Sequence, residues 1–231
     1  FCLSRGLGDV YKRQVKAFGV AELLDLIVRQ FPDATTIVRD DAAGKPVEPK
    51  AAGPVVVQIC KTFVHPQSGK LSVARVLAGT LTPDTQLVNA SRGDAKERPG
   101  GLYALQGKNQ TAVQKAEPGS LVAIARLESA QTSDTLCSGG AKTIMPVPTL
   151  PRPAFVLAIR PHDRSDEAKL SQLLARLRDE EPTLVVERAE FTDELVVRGH
   201  GEMQLAVVAE RMARKYGVKL DTQLPQVPYR E

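Results

Sequence analysis

Short apolar runs separated by polar turns occupy the centre of the chain and recur about every ten residues. The runs are VVVQICKTFV (55–64), LSVARVLAGTL (71–81), TQLVNAS (85–91) and SLVAIARL (120–127). Turn-forming stretches such as HPQSGK, TPD and EPGS lie between them, and no helical periodicity intervenes. Several short strands without helices indicate a closed β-barrel or a β-sandwich over residues 54–147.

A proline-rich spacer, MPVPTLPRP (145–153), separates this region from a second pattern. Apolar alternation predicts strands at 154–161, 184–188, 194–199 and 218–222, and helical spacing predicts helices at 165–182 and 201–217. Gly217 is placed to end the second helix. The order βαββαβ predicts a ferredoxin-like domain over residues 148–222, so the fold class is multidomain β and α+β.

The first 53 residues carry no complete domain pattern. Residues 19–34, GVAELLDLIVRQFPDA, have apolar positions at helical spacing up to Pro32 and predict one amphipathic helix. Residues 39–54 are dense in Gly, Pro, Ala and charge, which is typical of a linker. The opening stretch FCLSRGLGDVYKRQ (1–14) has no Met and no apolar run of signal-peptide length.

Composition narrows the class of protein. A chain of 231 residues with 42% hydrophobic and 25% charged residues is typical of globular proteins with two small domains. No apolar run approaches the ~18 residues of a membrane helix. The three cysteines are widely spaced, so we expect Cys60 and Cys137 to be buried thiols in a reducing compartment. The net charge is +4, and the basic excess lies within residues 54–147.

Motifs for catalysis and ligand binding fail when they are tested. GKLS (69–72) lacks both the first glycine and the Ser or Thr of a phosphate-binding loop, and DAAG (41–44) matches D-x-x-G only within a linker. GHGEMQ (199–204) lacks the last glycine of a dinucleotide fingerprint and the P-C-x-x-C of a zinc deaminase. The sequence therefore predicts no catalytic, cofactor or metal site, and we expect the chain neither to bind nor to hydrolyse GTP.

Longer stretches resemble one family over almost the whole chain, the bacterial elongation factor G family of ribosomal GTPases. GVAELLDLIVRQFPD resembles the last helix of its GTPase domain, and KTFVHPQSGKLSVARVLAGTL with PGSLVAIARL and SDTLCSGG resembles its domain II barrel. RPAFVLAIRP, LARLRDEEPTLVVE and GHGEMQLAVVAERMARKYGVKLD resemble domain III, and PQVPYRE the start of domain IV. KERPGGLYALQGKNQ (96–110) is most similar to elongation factor G-like paralogues.

Some positions depart from the family pattern and also favour such a paralogue. The family motif G-x-G-E-L-H-L-E has Met203, Gln204 and Ala206 in place of its Leu, His and final Glu. Ser133 stands where the family has Gly. The resemblance places the end of the GTPase domain and a linker at 15–53, domain II at 54–147, domain III at 148–222 and the start of domain IV at 223–231. It also indicates an internal fragment, with residues 1–14 resembling a translated sequencing adapter.

The resemblance implies a cytoplasmic factor whose domains II and III couple GTP hydrolysis to translocation or to a related ribosomal role. It implies GTP and Mg²⁺ in the full-length parent and none in this segment. The implied partners are small-subunit RNA and proteins, together with the GTPase domain and domain IV of the same chain, and no membrane. A ribosomal-protection or release-factor-type GTPase, and a stand-alone RNA-binding β-barrel, remain alternatives.

Basic residues on predicted barrel loops are the candidate RNA contacts. Lys61 and Lys70 flank the HPQSG turn, and the next connection carries three more basic residues, Arg92, Lys96 and Arg98. Reversal of the two lysines is expected to weaken RNA binding more than reversal of Arg176 and Arg178 on the domain III helix. Within the G-x-G-E motif, the resemblance implies an interdomain relay role for Gly199, Gly201 and Glu202.

Overall fold

The computed structural model describes residues 19–65, 69–107, 109–189 and 191–226. The adapter-like segment 1–14, the centre of the HPQSG turn and the last part of the predicted domain IV start lie outside the described residues. The chain divides into two units, Phe1–Ile37 and Val38–Glu231.

The described part of the first unit contains one helix, α1 (Val20–Gln30), which confirms the helix predicted within 19–34. It ends where Phe31 adopts an extended conformation, with φ −82° and ψ 135°. Pro32 follows, and a proline disfavours the helical conformation of the residue before it. Leu23, Leu24 and Val28 are exposed, by 54%, 56% and 82%.

The second unit opens with a two-stranded ribbon, β1 (Arg39–Asp40) and β2 (Pro46–Val47), in the segment predicted as a linker. Its turn is organised by Asp41, whose Oδ1 accepts hydrogen bonds from the backbone N–H groups of Ala43 and Lys45, both at 2.8 Å. Such Asx-type bonding is a local turn device. The DAAG segment is therefore part of a hairpin turn.

An eight-stranded antiparallel sheet follows and confirms the predicted barrel. Its strands are β3 (Val56–His65), β4 (Gly69–Ala78), β5 (Leu87–Asn89), β6 (Ala95–Glu97), β7 (Leu102–Gln106), β8 (Asn109–Ala112), β9 (Leu121–Ala125) and β10 (Thr135–Cys137). The order across the sheet is β6-β5-β10-β3-β4-β9-β7-β8. Leu87 and Leu102 come from strands near opposite ends of this order yet share one buried core. The sheet therefore wraps around that core, as in a barrel.

A β-bulge in β3 corrects the expectation for Cys60, which is exposed, whereas Cys137 is buried as predicted. Ile59 pairs with Ala74 and Lys61 with Val73, so Cys60 is the extra residue between two consecutive pairs. The bulge reverses the alternation of the strand. Ile59 is buried before it, and Thr62 and Val64 are buried after it.

Ser133 has a left-handed backbone, with φ +76°, which explains the Gly that the family has at this position. Its N–H donates to the carbonyl of Ile59 at 2.8 Å, a bond that glycine retains.

We expect Ser133→Gly to raise the free energy of unfolding by about 0.5–1 kcal/mol, because relief of the strained φ exceeds the entropic cost of glycine. Urea unfolding measures the change. Ser120→Gly, outside the left-handed region, should destabilise instead, and a loss of stability in Ser133→Gly would contradict the prediction.

The loop after β9 is held by a buried carboxylate, Glu97 at the end of β6, which is 7% exposed. Its Oε1 accepts hydrogen bonds from the backbone N–H groups of Ser129 (2.7 Å) and Ala130 (3.1 Å) and from the Ser129 hydroxyl. Its Oε2 accepts from the N–H of Glu128 at 3.1 Å. Three consecutive N–H groups thus surround one carboxylate.

The remaining elements have the predicted βαββαβ order. They are β11 (Phe155–Pro161), α2 (Glu167–Glu180), β12 (Val185–Arg188), β13 (Leu195–Gly199), α3 (Glu202–Tyr216) and β14 (Leu220–Gln223). The strands form an antiparallel sheet in the order β12-β13-β11-β14. The helices pack on it through Leu170, Leu174, Leu177, Leu205 and Met212. Helix α3 ends as predicted at Gly217, with φ +71°, and the N–H groups of Gly217 and Val218 bond to its last carbonyls.

Candidate interdomain and nucleic-acid-binding surfaces

The structure brings Lys61 and Lys70 together against the end of helix α2. Lys61 Nζ donates to the carbonyl of Glu180 at 2.6 Å and lies 3.4 Å from Oε1 of Glu181. Lys70 Nζ lies 3.7 Å from Oδ2 of Asp179, and the Lys70 side chain is only 17% exposed. Both predicted RNA-contacting lysines therefore have acidic partners from the ferredoxin-like domain. We call residues Asp179–Glu181 the acidic helix end.

Glu180 links the two domains through the peptide groups of one barrel residue. Its carboxylate is 7% exposed and accepts a hydrogen bond from the backbone N–H of Val64 at 2.8 Å. Lys215, at the end of α3, forms an ion pair with the same Oε1 at 2.7 Å and also donates to the Val64 carbonyl. Strand β4 pairs β3 on one side as far as His65, but β10 pairs the other side only at Val56–Gln58, so the ion pair satisfies backbone groups on the side of β3 that β10 leaves open.

Sequence reasoning missed this contact, although a signal for it is present. Acidic side chains at the C-terminus of a helix face the negative end of the helix dipole and are unfavourable there unless cations lie close by. Three consecutive acids at the end of α2 thus indicate cations from elsewhere in the fold. The cations that meet them are Lys61, Lys70, Arg211 and Lys215.

Arg92 is part of a separate network on the barrel. Its Nε donates to both carboxylate oxygens of Asp134, at 3.0 and 2.8 Å, and its side chain is 49% exposed. Asp134 is 5% exposed and also accepts hydrogen bonds from Asn89 and from the N–H of Gln131. Arg92 therefore holds a loop in place and leaves half of its side chain accessible.

Lys96 and Arg98 flank the buried Glu97 and are both exposed. Neighbouring residues in an extended chain point to opposite faces, so anchoring Glu97 inward directs the two cations outward. Arg98 Nη2 lies 3.8 Å from Oδ1 of Asp84, but the two side chains are 74% and 92% exposed. Such an exposed pair contributes little and opens readily to another anion.

The predicted relay residues form the turn between β13 and α3. A Cβ on Gly199 would lie 2.7 Å from Oε1 of Gln204 and 2.9 Å from Cδ2 of Leu205, so any larger residue there would displace these two side chains. Gly201 is the N-cap residue of α3, and Glu202 follows in its first turn, where an acid favours the helix dipole. Gln204, which replaces the family histidine, accepts from the N–H of His200 at 2.7 Å and donates to Thr183 at 3.0 Å.

A cavity of about 430 Å³ lies at one end of the ferredoxin-like sheet, lined by Arg160, His162 and Glu194 among others. A hydrogen bond from the Gln226 N–H holds the pKa of Glu194 below its usual range, against the opposing effect of burial. Elsewhere, burial raises the pKa of the Cys137 thiol, whose Sγ donates to the Thr143 carbonyl.

Among the described residues, no group of three or more His, Cys, Asp and Glu residues could hold a metal ion. None of the helices described is both long and apolar enough to cross a membrane.

Comparison with known proteins matches both domains. Residues 54–139 match the family model for elongation factor G domain 2, and residues 150–224 match the model for elongation factor G domain III. A Synechocystis protein named elongation factor G-like protein is 40% identical over 214 residues, which are 93% of this chain and 30% of that protein. A crystal structure of a Thermus thermophilus protein, ttk003000868, aligns with a TM-score of 0.76 at 33% identity and covers 92% of this chain and 30% of that chain.

A β-barrel followed by a ferredoxin-like domain, each matching its own family model, defines a module of a translation factor. The chain belongs to the elongation factor G family, as the resemblance predicted. It spans 30% of the length of the Synechocystis relative.

Proposed function

We propose that the chain serves as domains II and III of an elongation factor G-like ribosomal GTPase in the cytoplasm. In this role the barrel contacts the small ribosomal subunit, and domain III transmits rearrangements between the GTPase domain and domain IV. The observation that carries the proposal is the single alignment over 214 residues, at 40% identity, with the elongation factor G-like protein. The matched regions are domains 2 and III, so the proposal assigns GTP and Mg²⁺ to a GTPase domain outside them.

The exposed basic residues of the barrel are the proposed contacts with small-subunit RNA. Lys96 and Arg98 point outward beside Glu97, and Arg92 keeps 49% of its side chain accessible while it holds Asp134. Each can meet a phosphate without breaking a buried interaction. Lys61 and Lys70 belong to the same proposal, but in this arrangement they already contact domain III.

The relay proposal rests on the tight turn around Gly199. Its missing side chain lets Gln204 bond across the turn to His200 and onward to Thr183, which precedes β12. A displacement of Gly201 or Glu202 at the start of α3 would therefore also move the connection between α2 and β12. This coupling is the physical basis for proposing that these residues relay motion.

Reversing two exposed cations tests the barrel surface. In the Lys96→Glu/Arg98→Glu variant we expect weaker binding to purified small subunits, and a log–log salt slope flatter by about 1.4–1.8, because two phosphate contacts are lost. Equilibrium binding is measured across a salt series. The matched control is Arg176→Glu/Arg178→Glu, which reverses two exposed cations on α2. Equal weakening by both variants would remove Lys96 and Arg98 from the interface.

A further inference from the structure

The barrel surface that carries Lys61 and Lys70 is occupied by the chain itself. Lys61 is held by the carbonyl of Glu180 and the carboxylate of Glu181, and Lys70 by the carboxylate of Asp179. Carboxylates and phosphates are recognised by the same charge-assisted hydrogen bonds. Lys70 also donates to the carbonyl of Glu128 at 3.4 Å. A phosphate that approaches either ammonium group therefore competes with the oxygens of the acidic helix end.

The geometry of β3 makes this occupation reversible. After the bulge at Cys60, Lys61 and Phe63 face outward, and Phe63 is 46% exposed on the wall of a cavity of about 360 Å³ between the two domains. The ion pairs of both lysines are partly exposed, with Lys61 at 36%, Lys70 at 17%, and Glu181 and Asp179 each at 28%. Partly exposed pairs are weakened by salt and by competing anions.

We propose that the acidic helix end is an intramolecular competitor for RNA. While the ferredoxin-like domain is docked on the barrel, Asp179 and Glu181 occupy Lys70 and Lys61, and RNA contacts are limited to Arg92, Lys96 and Arg98. When the domain separates, the two lysines become available to phosphates, and Phe63 becomes available for base stacking. Docking of the domain and RNA binding at the two lysines therefore exclude each other. This inference rests on the proposed RNA contact of the barrel.

The test compares two pairs of neutralising substitutions on one helix in the full chain. Asp179→Asn/Glu181→Gln removes the carboxylates that face Lys70 and Lys61 and retains Glu180. Asp166→Asn/Glu167→Gln removes the same charge at the start of α2, about 20 Å away at 1.5 Å per residue. The probe is a fluorescein-labelled oligouridylate, and its affinity is measured across a salt series.

We expect the first variant to bind the oligouridylate about tenfold more tightly, the combined effect of releasing two partly screened lysines. Its log–log salt slope should steepen by about 1.4, because two single-strand phosphate contacts are gained. The control variant should change affinity by less than about twofold. Hydrogen exchange supplies a readout that does not depend on these variants: RNA should accelerate exchange of the Val64 amide, which donates to Glu180 in the docked state.

Four outcomes would overturn the inference. Equal gains in both variants would show a general charge effect, and a gain that survives added Lys61→Glu/Lys70→Glu would show that other residues bind the RNA. No gain, while the wild type binds RNA through Lys96 and Arg98, would refute the competition and leave the proposed function standing. If the wild type binds neither RNA nor small subunits, the proposed function fails as well. The single variant Glu181→Gln supplies the same comparison if the double variant loses its fold.

Discussion

Replacing Glu180 with alanine is expected to lower the free energy of unfolding by about 3 kcal/mol, the low end of the range for breaking a buried ion pair. The substitution removes the acceptor of the Val64 N–H and leaves Lys215 without its carboxylate partner. The low end applies because the Lys215 side chain retains 24% exposure to water. Urea unfolding followed by circular dichroism measures the change.

A double-mutant cycle separates the ion pair from the rest of the contact. Glu180→Leu/Lys215→Met removes both charges together and should be less destabilising than either single substitution, because no buried charge is left unpaired. Arg214→Met with Glu210→Leu is the matched surface pair, since those side chains are 70% and 55% exposed. A change below about 1 kcal/mol in Glu180→Ala would mean that the contact is no stronger than a surface ion pair.

Glu97→Ala is expected to destabilise the barrel by about 2–3 kcal/mol, because hydrogen bonds to a charged group are lost and buried donors are left unsatisfied. The affected donors are the N–H groups of residues 128–130 and the Ser129 hydroxyl. Thermal and urea unfolding measure the loss, and hydrogen exchange in the loop after β9 shows where it occurs.

Glu97→Gln retains the shape of the side chain and one acceptor oxygen, but presents an amide NH₂ to the N–H of Glu128, so it should still destabilise the barrel by about 1 kcal/mol or more. The control is Glu117→Gln, whose carboxylate is 57% exposed and pairs with Lys115 on the surface. That substitution should stay within about 0.5 kcal/mol of the wild type. Similar losses in the two glutamine variants would mean that the loop is not organised by Glu97.

The ferredoxin-like domain could be predicted from sequence because its signals are local and long. Leu205, Val208 and Met212 recur at helical spacing over two turns of a 15-residue helix, and Gly217 ends the helix in the expected left-handed conformation. In the barrel, the strands β3, β4, β5 and β9 were predicted, whereas β6, β7, β8 and β10 were not. The missed strands have three to five residues each, and β8 is exposed throughout, so no apolar alternation marks them and their pairing partners set them.

The candidate site was harder to predict because its geometry depends on distant residues. Lys61 contacts Glu180, which is 119 residues away in the sequence. The residues around Lys61 therefore give no sign that its ammonium group already has a partner. The bulge at Cys60 also could not be predicted from the sequence. Strict alternation through Cys60 assigns the residues after it to the wrong faces of the strand. Lys96 and Arg98 differ, because their exposure follows from local alternation around Glu97 at the end of β6.

Because of the bulge, strand β3 contributes side chains both to the barrel core and to the contact with the ferredoxin-like domain. Before Cys60 the inward side chains fill the barrel, and after it the outward Lys61 and Phe63 face the ferredoxin-like domain. Because side chains alternate with a period of two, loss of one residue here would exchange the two faces of the second half of the strand. A deletion of two residues after Cys60 would keep the same face of the strand toward the ferredoxin-like domain, whereas a deletion of one would turn apolar core positions toward that domain and polar ones into the barrel.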